Sequence, residues 1–201
     1  MTQAVPDLRR AAAMAYRVLA ARKIRQLPVD PLPILRACRD TCVYTAVEAA
    51  DVLQLSSREA AALLTDADAL TWRFQENGKM RYITIYRPDG NPARLRFTLA
   101  HELGHRLLNH EGSTLAEERE ADCFASHLLC PEPALRRMAD QCRKTAPERI
   151  ATAFYVSRAC ACTLALREPA GVDNDLWDAV DLQLADAVDA FCRTKAPKTP
   201  E

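Results

Sequence analysis

No apolar run in this 201-residue chain approaches the roughly 20 residues needed to cross a bilayer, and its opening stretch does not read as a secretory leader. No membrane association is expected. Net charge is also missing: 27 Lys and Arg stand against 27 Asp and Glu. That balance removes any general pull toward nucleic acid or an anionic surface, so direct nucleic-acid binding is not expected. The chain has no Gly-rich phosphate loop, no internal repeat and no low-complexity region. Its eight cysteines include no Cys-x-x-Cys pair, and Cys38/Cys42 and Cys160/Cys162 lack metal-knuckle spacing. Cys123, Cys130 and Cys160 sit among apolar residues and read as small core side chains. A reduced, cytoplasmic protein is the expectation. With 49% hydrophobic residues the chain can bury one substantial core, read as a single domain over residues 1–194 with a disordered tail at 195–201.

Histidine is scarce as well. Of four in the chain, two stand in His101-Glu102-Leu103-Gly104-His105. In a helix, positions i and i+4 share a face, so both imidazoles can converge on one Zn²⁺. Glu102 can then take a proton from a water held in the open coordination position. Leu99, Ala100, Leu103, Leu107 and Leu108 supply the apolar stripe that such a helix needs. The pattern is a zinc-hydrolase signature whose natural chemistry is peptide-bond hydrolysis.

A catalytic zinc needs a third protein ligand. Residues 117–131 read as a helix that buries Ala121, Phe124, Ala125, Leu128 and Leu129 and ends at Pro131. Glu118 and Asp122 share one side. Glu118 can bind the metal while Asp122 accepts a hydrogen bond from the free ring nitrogen of a ligand histidine. Glu120 is the rival ligand, turned about 160° from both. Glu117 reads as a solvated acid favoured by the helix dipole.

These two segments together resemble the ImmA/IrrE metallopeptidases, bacterial and phage-associated zinc proteins of the gluzincin type. The resemblance is carried by Arg96 to Ala100 leading into the histidine motif, and by Glu118, Glu120, Ala121, Asp122, Phe124, Ala125, Leu128, Leu129 and Pro131. It is sharp over residues 80–131. It implies His101, His105 and Glu118 as ligands and Glu102 as base. It also implies cleavage of a helix-turn-helix transcriptional repressor that controls a mobile element or stress response. Asp122 stands where many members carry Asn, and Cys130 where Met is common.

Elsewhere, residues 7–26 read as a basic helix and residues 174–192 as an acidic one, each with an apolar stripe, so the two can pair. Pro28, Pro31 and Pro33 precede a short helix near 32–38, residues 41–47 are β-prone, and Ser56 or Ser57 caps a helix running to about Leu64. Residues 81–86 alternate as a strand and end at a turn over 88–92. That strand is expected to border the cleft with a free edge for an extended substrate. Residues 147–167 read as a structural pair of short helices. The fold class is α+β: a mostly helical zincin-like domain with a small sheet beside the zinc cleft. Tyr82, Tyr86, His110 and His127 all remain open as oxyanion donors. The alternative function is a zinc-stabilised regulator that binds a partner protein or DNA without cleaving it; a peptidase of general peptides is a third reading.

Overall fold

The computed structural model describes residues 4–65, 67–141, 146–165, 167 and 169–194; the tail at 195–201 lies outside them. Among the described residues the elements run α1 (Leu8–Ala21), α2 (Pro31–Arg36), β1 (Thr41–Thr45), α3 (Ala46–Val52), α4 (Ser57–Ala62), β2 (Ala69–Glu76), β3 (Lys79–Tyr86), α5 (Pro92–Leu107), α6 (Leu115–Leu129), α7 (Glu132–Gln141), α8 (Pro147–Phe154), α9 (Arg158–Ala165) and α10 (Asn174–Arg193). The fold is α+β and mostly helical, as the sequence indicates. No described helix is long and apolar enough to cross a membrane. The elements cluster into two compact units, one built on residues 30–125, the other on residues 7–29 with the chain beyond 125.

The first unit holds a three-stranded sheet of order β1-β3-β2, with β1 parallel and β2 antiparallel to β3. Asn77 and Gly78 make the β2–β3 turn with φ of 50° and 72°, the left-handed pair that a two-residue hairpin loop requires. Ile83 and Ile85 project to one face with Leu70 and Trp72, against Ala49 and Leu64. Tyr82, Thr84 and Tyr86 project to the other face and are buried too. There the Arg106 guanidinium of α5 lies over the Tyr82 ring, 5.5 Å from its centroid, and Arg36 donates to the Tyr86 hydroxyl at 3.2 Å.

This topology corrects one expectation. The strand at 81–86 begins at Lys79 and is central, paired on both sides, so it has no free edge. The edge strand beside α5 is β2, because the Asn77-Gly78 turn folds residues 69–76 back along β3.

Helix α5 is fixed at both ends. Asn91 caps it by accepting from the amides of Ala93 and Arg94, and Pro92 occupies the first turn. Arg94 pairs through two nitrogens with the buried carboxylate of Asp68. Near the other end Arg106 pairs with Asp40 and donates to Thr41. After the Leu108 cap, Asn109 takes φ 57°. The His110 amide then donates back to the His105 carbonyl at 3.0 Å, and the Asn109 amide to that of Arg106 at 3.3 Å. These two bonds form a Schellman motif, for which Asn is a favoured left-handed residue. Helix α6 starts with a capping box: the Glu117 amide donates to Thr114 Oγ1 at 3.3 Å and the Thr114 amide to Glu117 Oε2 at 3.0 Å. Glu117 also accepts from the Glu111 amide at 2.9 Å. It is a loop clamp rather than the merely solvated acid expected.

In the second unit α10 packs against α1 and α7. Ala11, Ala12, Ala15 and Leu19 of α1 are buried, as are Val180, Leu184 and Val188 of α10. The acidic face of α10 meets Arg137 of α7, whose Nη2 lies 2.6 Å from Asp181 Oδ2. Helices α8 and α9 form the short pair expected, joined at Tyr155 with φ 50° and tied by Arg158 to Glu148 at 2.6 Å.

Candidate metal centre

Helices α5 and α6 cross where side chains are smallest. A Cβ on Gly104 would sit 3.0 Å from Phe124 Cδ1 and 3.2 Å from the Ala121 Cα. The lack of a side chain there lets the α6 backbone approach within reach of both histidines. His101 and His105, one turn apart on α5, face Glu118, one turn before Ala121 on α6.

The donor atoms converge. His101 Nε2 and His105 Nε2 are 2.9 Å apart. Glu118 places Oε2 3.3 Å from the first and Oε1 3.5 Å from the second. Tetrahedral ligands at about 2.0–2.1 Å from a zinc are themselves about 3.3 Å apart, so the set matches one small divalent ion. It is a group that could hold a metal ion, with all donors within 4.8 Å of one another. The other ring nitrogens give a second test. His101 Nδ1 lies 2.9 Å from Asp122 Oδ1, an acceptor-only carboxylate when ionised, so Nδ1 carries a proton and Nε2 is the atom left to offer a lone pair to a cation. His105 Nδ1 lies 2.9 Å from His110 Nδ1. Two imidazole nitrogens and a carboxylate aimed at one point are suited to sharing a cation.

Protonation leans the same way at one ligand and is contested at the other. Burial, reinforced by His101 and His110, pushes His105 down to about 4, keeping it neutral. At His101 burial opposes the charged form, but the hydrogen bond and charge of Asp122, with help from Glu102 and Glu118, raise its pKa overall. A bound cation would remove that preference by competing for Nε2. Glu102 is raised, foremost by burial; the Thr71 hydroxyl, the His101 charge and the Thr71 amide oppose that rise. The Thr71 hydroxyl also lies 2.8 Å from that of the fully buried Thr84.

The cleft over these groups has a volume of about 480 Å³, walled by β2 from Ala69 to Arg73 and by Tyr82, with Glu111 to Ser113 at its rim. The Thr71 amide reaches Glu102 across the unpaired side of β2, and the Tyr82 amide points away from β2 to the Asp40 carbonyl at 2.9 Å. Residues 69, 71 and 73 therefore turn their amides and carbonyls outward, into the cleft.

The sequence-based site residues are thus brought together: His101, His105, Glu118, Glu102 and Asp122 form one cluster. Glu120 is not in it. Its carboxylate lies 3.1 Å from His110 Nε2 on the other side of α6. Of the four open oxyanion donors, Tyr82 and His110 line the cleft, but both His110 nitrogens are engaged. Tyr86 bonds Arg36, and His127 is buried beside Tyr16 in the other unit. Sequence reasoning missed Thr71, although alternating Leu70, Trp72 and Phe74 before Asn77-Gly78 is a hairpin signal.

No curated protein matches the chain. Residues 50–164, more than half of it, match the sequence model of peptidase family M78, described as an IrrE N-terminal-like domain. The matched segment spans the sheet hairpin, the cluster and the start of the chain beyond α6. The chain belongs to the ImmA/IrrE peptidase family.

Proposed function

We propose that this protein is a zinc-dependent endopeptidase that cleaves a helix-turn-helix repressor of a mobile element or stress response, in a reducing cytoplasm. The observation that carries the enzymatic reading is the partly buried Glu102 held by Thr71 beside the three converging donors. The choice of a repressor rests on the family resemblance.

His101, His105 and Glu118 would hold the zinc, which when bound acidifies a water and polarises a carbonyl. Asp122 orients His101. Thr71 aims Glu102 through two hydrogen bonds. Burial raises the affinity of Glu102 for a proton, which suits a base that accepts one from the attacking water and delivers it to the departing amine. An extended substrate adds to β2 through the outward groups of Arg73, the first exposed residue of that strand, in place of the docking strand expected at 81–86.

The test is incubation of the purified protein with a helix-turn-helix repressor encoded beside it, with and without chelator. Specific cleavage that stops on chelation is expected. Glu102→Gln should retain the metal and lose at least about 10²-fold in rate. Equal biological activity of the two forms would favour a non-cleaving regulator.

A further inference from the structure

The Schellman turn after α5 does more than end a helix. By returning the chain at Asn109 it lays His110 against His105, with ring centroids 4.9 Å apart and planes at 78°. The two Nδ1 atoms are 2.9 Å apart, and His110 Nε2 is 3.1 Å from Glu120 Oε2. Both partners are nearly enclosed, with side-chain exposures of 5% for His110 and 11% for Glu120. Hydrogen bonds thus run from α6 through the loop to α5 and end at a metal-donor histidine.

The proton positions in this chain are constrained. If His105 binds a cation through Nε2, its Nδ1 must carry the proton and needs an acceptor. The facing atom is His110 Nδ1. It can accept only as a lone pair, which puts the His110 proton on Nε2, where the Glu120 carboxylate accepts it. With the proton on His105 Nδ1, any other arrangement of His110 sets two N–H groups against each other at 2.9 Å or leaves Glu120 facing a lone pair.

We infer that His110 and Glu120 form a positioning pair that fixes the ring orientation and tautomer of His105 for metal binding. Asp122 serves His101 in one step; His105 is served in two, by a ring and then a carboxylate. The two carboxylates come from opposite sides of α6, which is why Glu118 and Glu120, two residues apart, have different tasks. This inference rests on the metal-site reading above.

The experiment is Co²⁺ titration of full-length protein, reading affinity by chelator competition and geometry from the visible d–d bands. Circular dichroism melts report folding. Wild type should bind one Co²⁺ per chain with a tetrahedral spectrum. His110→Ala should weaken binding by about 10- to 100-fold and shift the bands. His110→Asn, whose amide can accept from His105 and donate to Glu120, should recover part of both. Glu120→Gln keeps an acceptor without charge and should fall between wild type and His110→Ala. A purely structural role would lower the melting temperature while leaving spectrum and affinity intact. That result in folded His110→Ala and Glu120→Gln, with wild type still binding Co²⁺, would overturn this inference alone. Failure of wild type to bind Co²⁺ would overturn the metal site and the inference together.

Discussion

Replacing Gly104 with Ala adds a single methyl at the α5–α6 crossing, and two opposed effects can be sized. Alanine is favoured over glycine inside a helix by about 1 kcal/mol. Against that, the new Cβ would lie 3.0 Å from Phe124 Cδ1, 3.2 Å from the Ala121 Cα and 3.3 Å from its carbonyl oxygen. Neither neighbour can easily yield, since Phe124 is fully buried and the Ala121 atoms are helix backbone. Overpacking of this sort costs about 1–3 kcal/mol. The net is a destabilisation of up to about 2 kcal/mol, a drop of several degrees at about 2–4 °C per kcal/mol for a chain of this size. Relief requires α6 to retreat by a few tenths of an ångström, carrying Glu118 away from the imidazoles, so metal affinity should fall as well. Gly112→Ala is the control, because its Cβ would meet only Glu117 Oε2, at an ordinary 3.6 Å. Thermal melts and metal titrations of both variants decide the matter. A Gly104→Ala protein that melts above wild type and binds metal as tightly would refute the claim that glycine sets the helix spacing.

Further outcomes follow from the same geometry. Purified protein should carry one zinc per chain; His101→Ala or His105→Ala should abolish it and Glu118→Ala should weaken it, measured by elemental analysis. Chelation should lower the melting temperature, since an ion present at about 1,000 times its Kd stabilises the folded state by about 4 kcal/mol. Glu117, held down at about 2 by Thr114 and by the amides of Glu111 and Gly112, should contribute stability that is complete above the ordinary glutamate range of about 4.3 and lost as pH falls toward 2. The wild-type advantage over Glu117→Gln in denaturant melts should therefore shrink on acidification, and a gap that widens would contradict the assignment. Arg73→Pro, which removes an outward amide that the sheet does not use, should reduce substrate cleavage more than Arg73→Ala; equal losses would place the peptide elsewhere.

The helical positions of the site were legible because a single helix fixes them: His101, Glu102 and His105 need only a 3.6-residue period. Glu118 and Asp122 were legible by the same rule within α6, and that rule also set Glu120 apart. What it could not supply was the object on the other side, because His110 reaches Glu120 only through the left-handed turn at Asn109. The capping box of Thr114 and Glu117 was available as a four-residue pattern but was overshadowed by the run of acids. The docking strand was misplaced for a different reason. Alternation identifies a strand without saying whether it lies at an edge, and residues 79–86 gained a neighbour on each side. The acidic face of α10 found Arg137, a choice governed by helix neighbours that charge alone does not name.

The amide of Thr71 has a consequence for reading frame. Along the outer side of β2 the outward groups recur every two residues, about 6.8 Å apart. Toward the start of the strand Ala69 is buried, and at the next such position Thr71 spends its amide on Glu102. The first exposed rung is therefore Arg73, about 6.8 Å from the closed one. A peptide laid on this edge under the proposed function would meet an open ladder on one side of Glu102 only. Sliding by two residues, the slip that an edge strand otherwise permits, would still leave one peptide unit opposite Glu102, so the backbone ladder alone would not choose the bond.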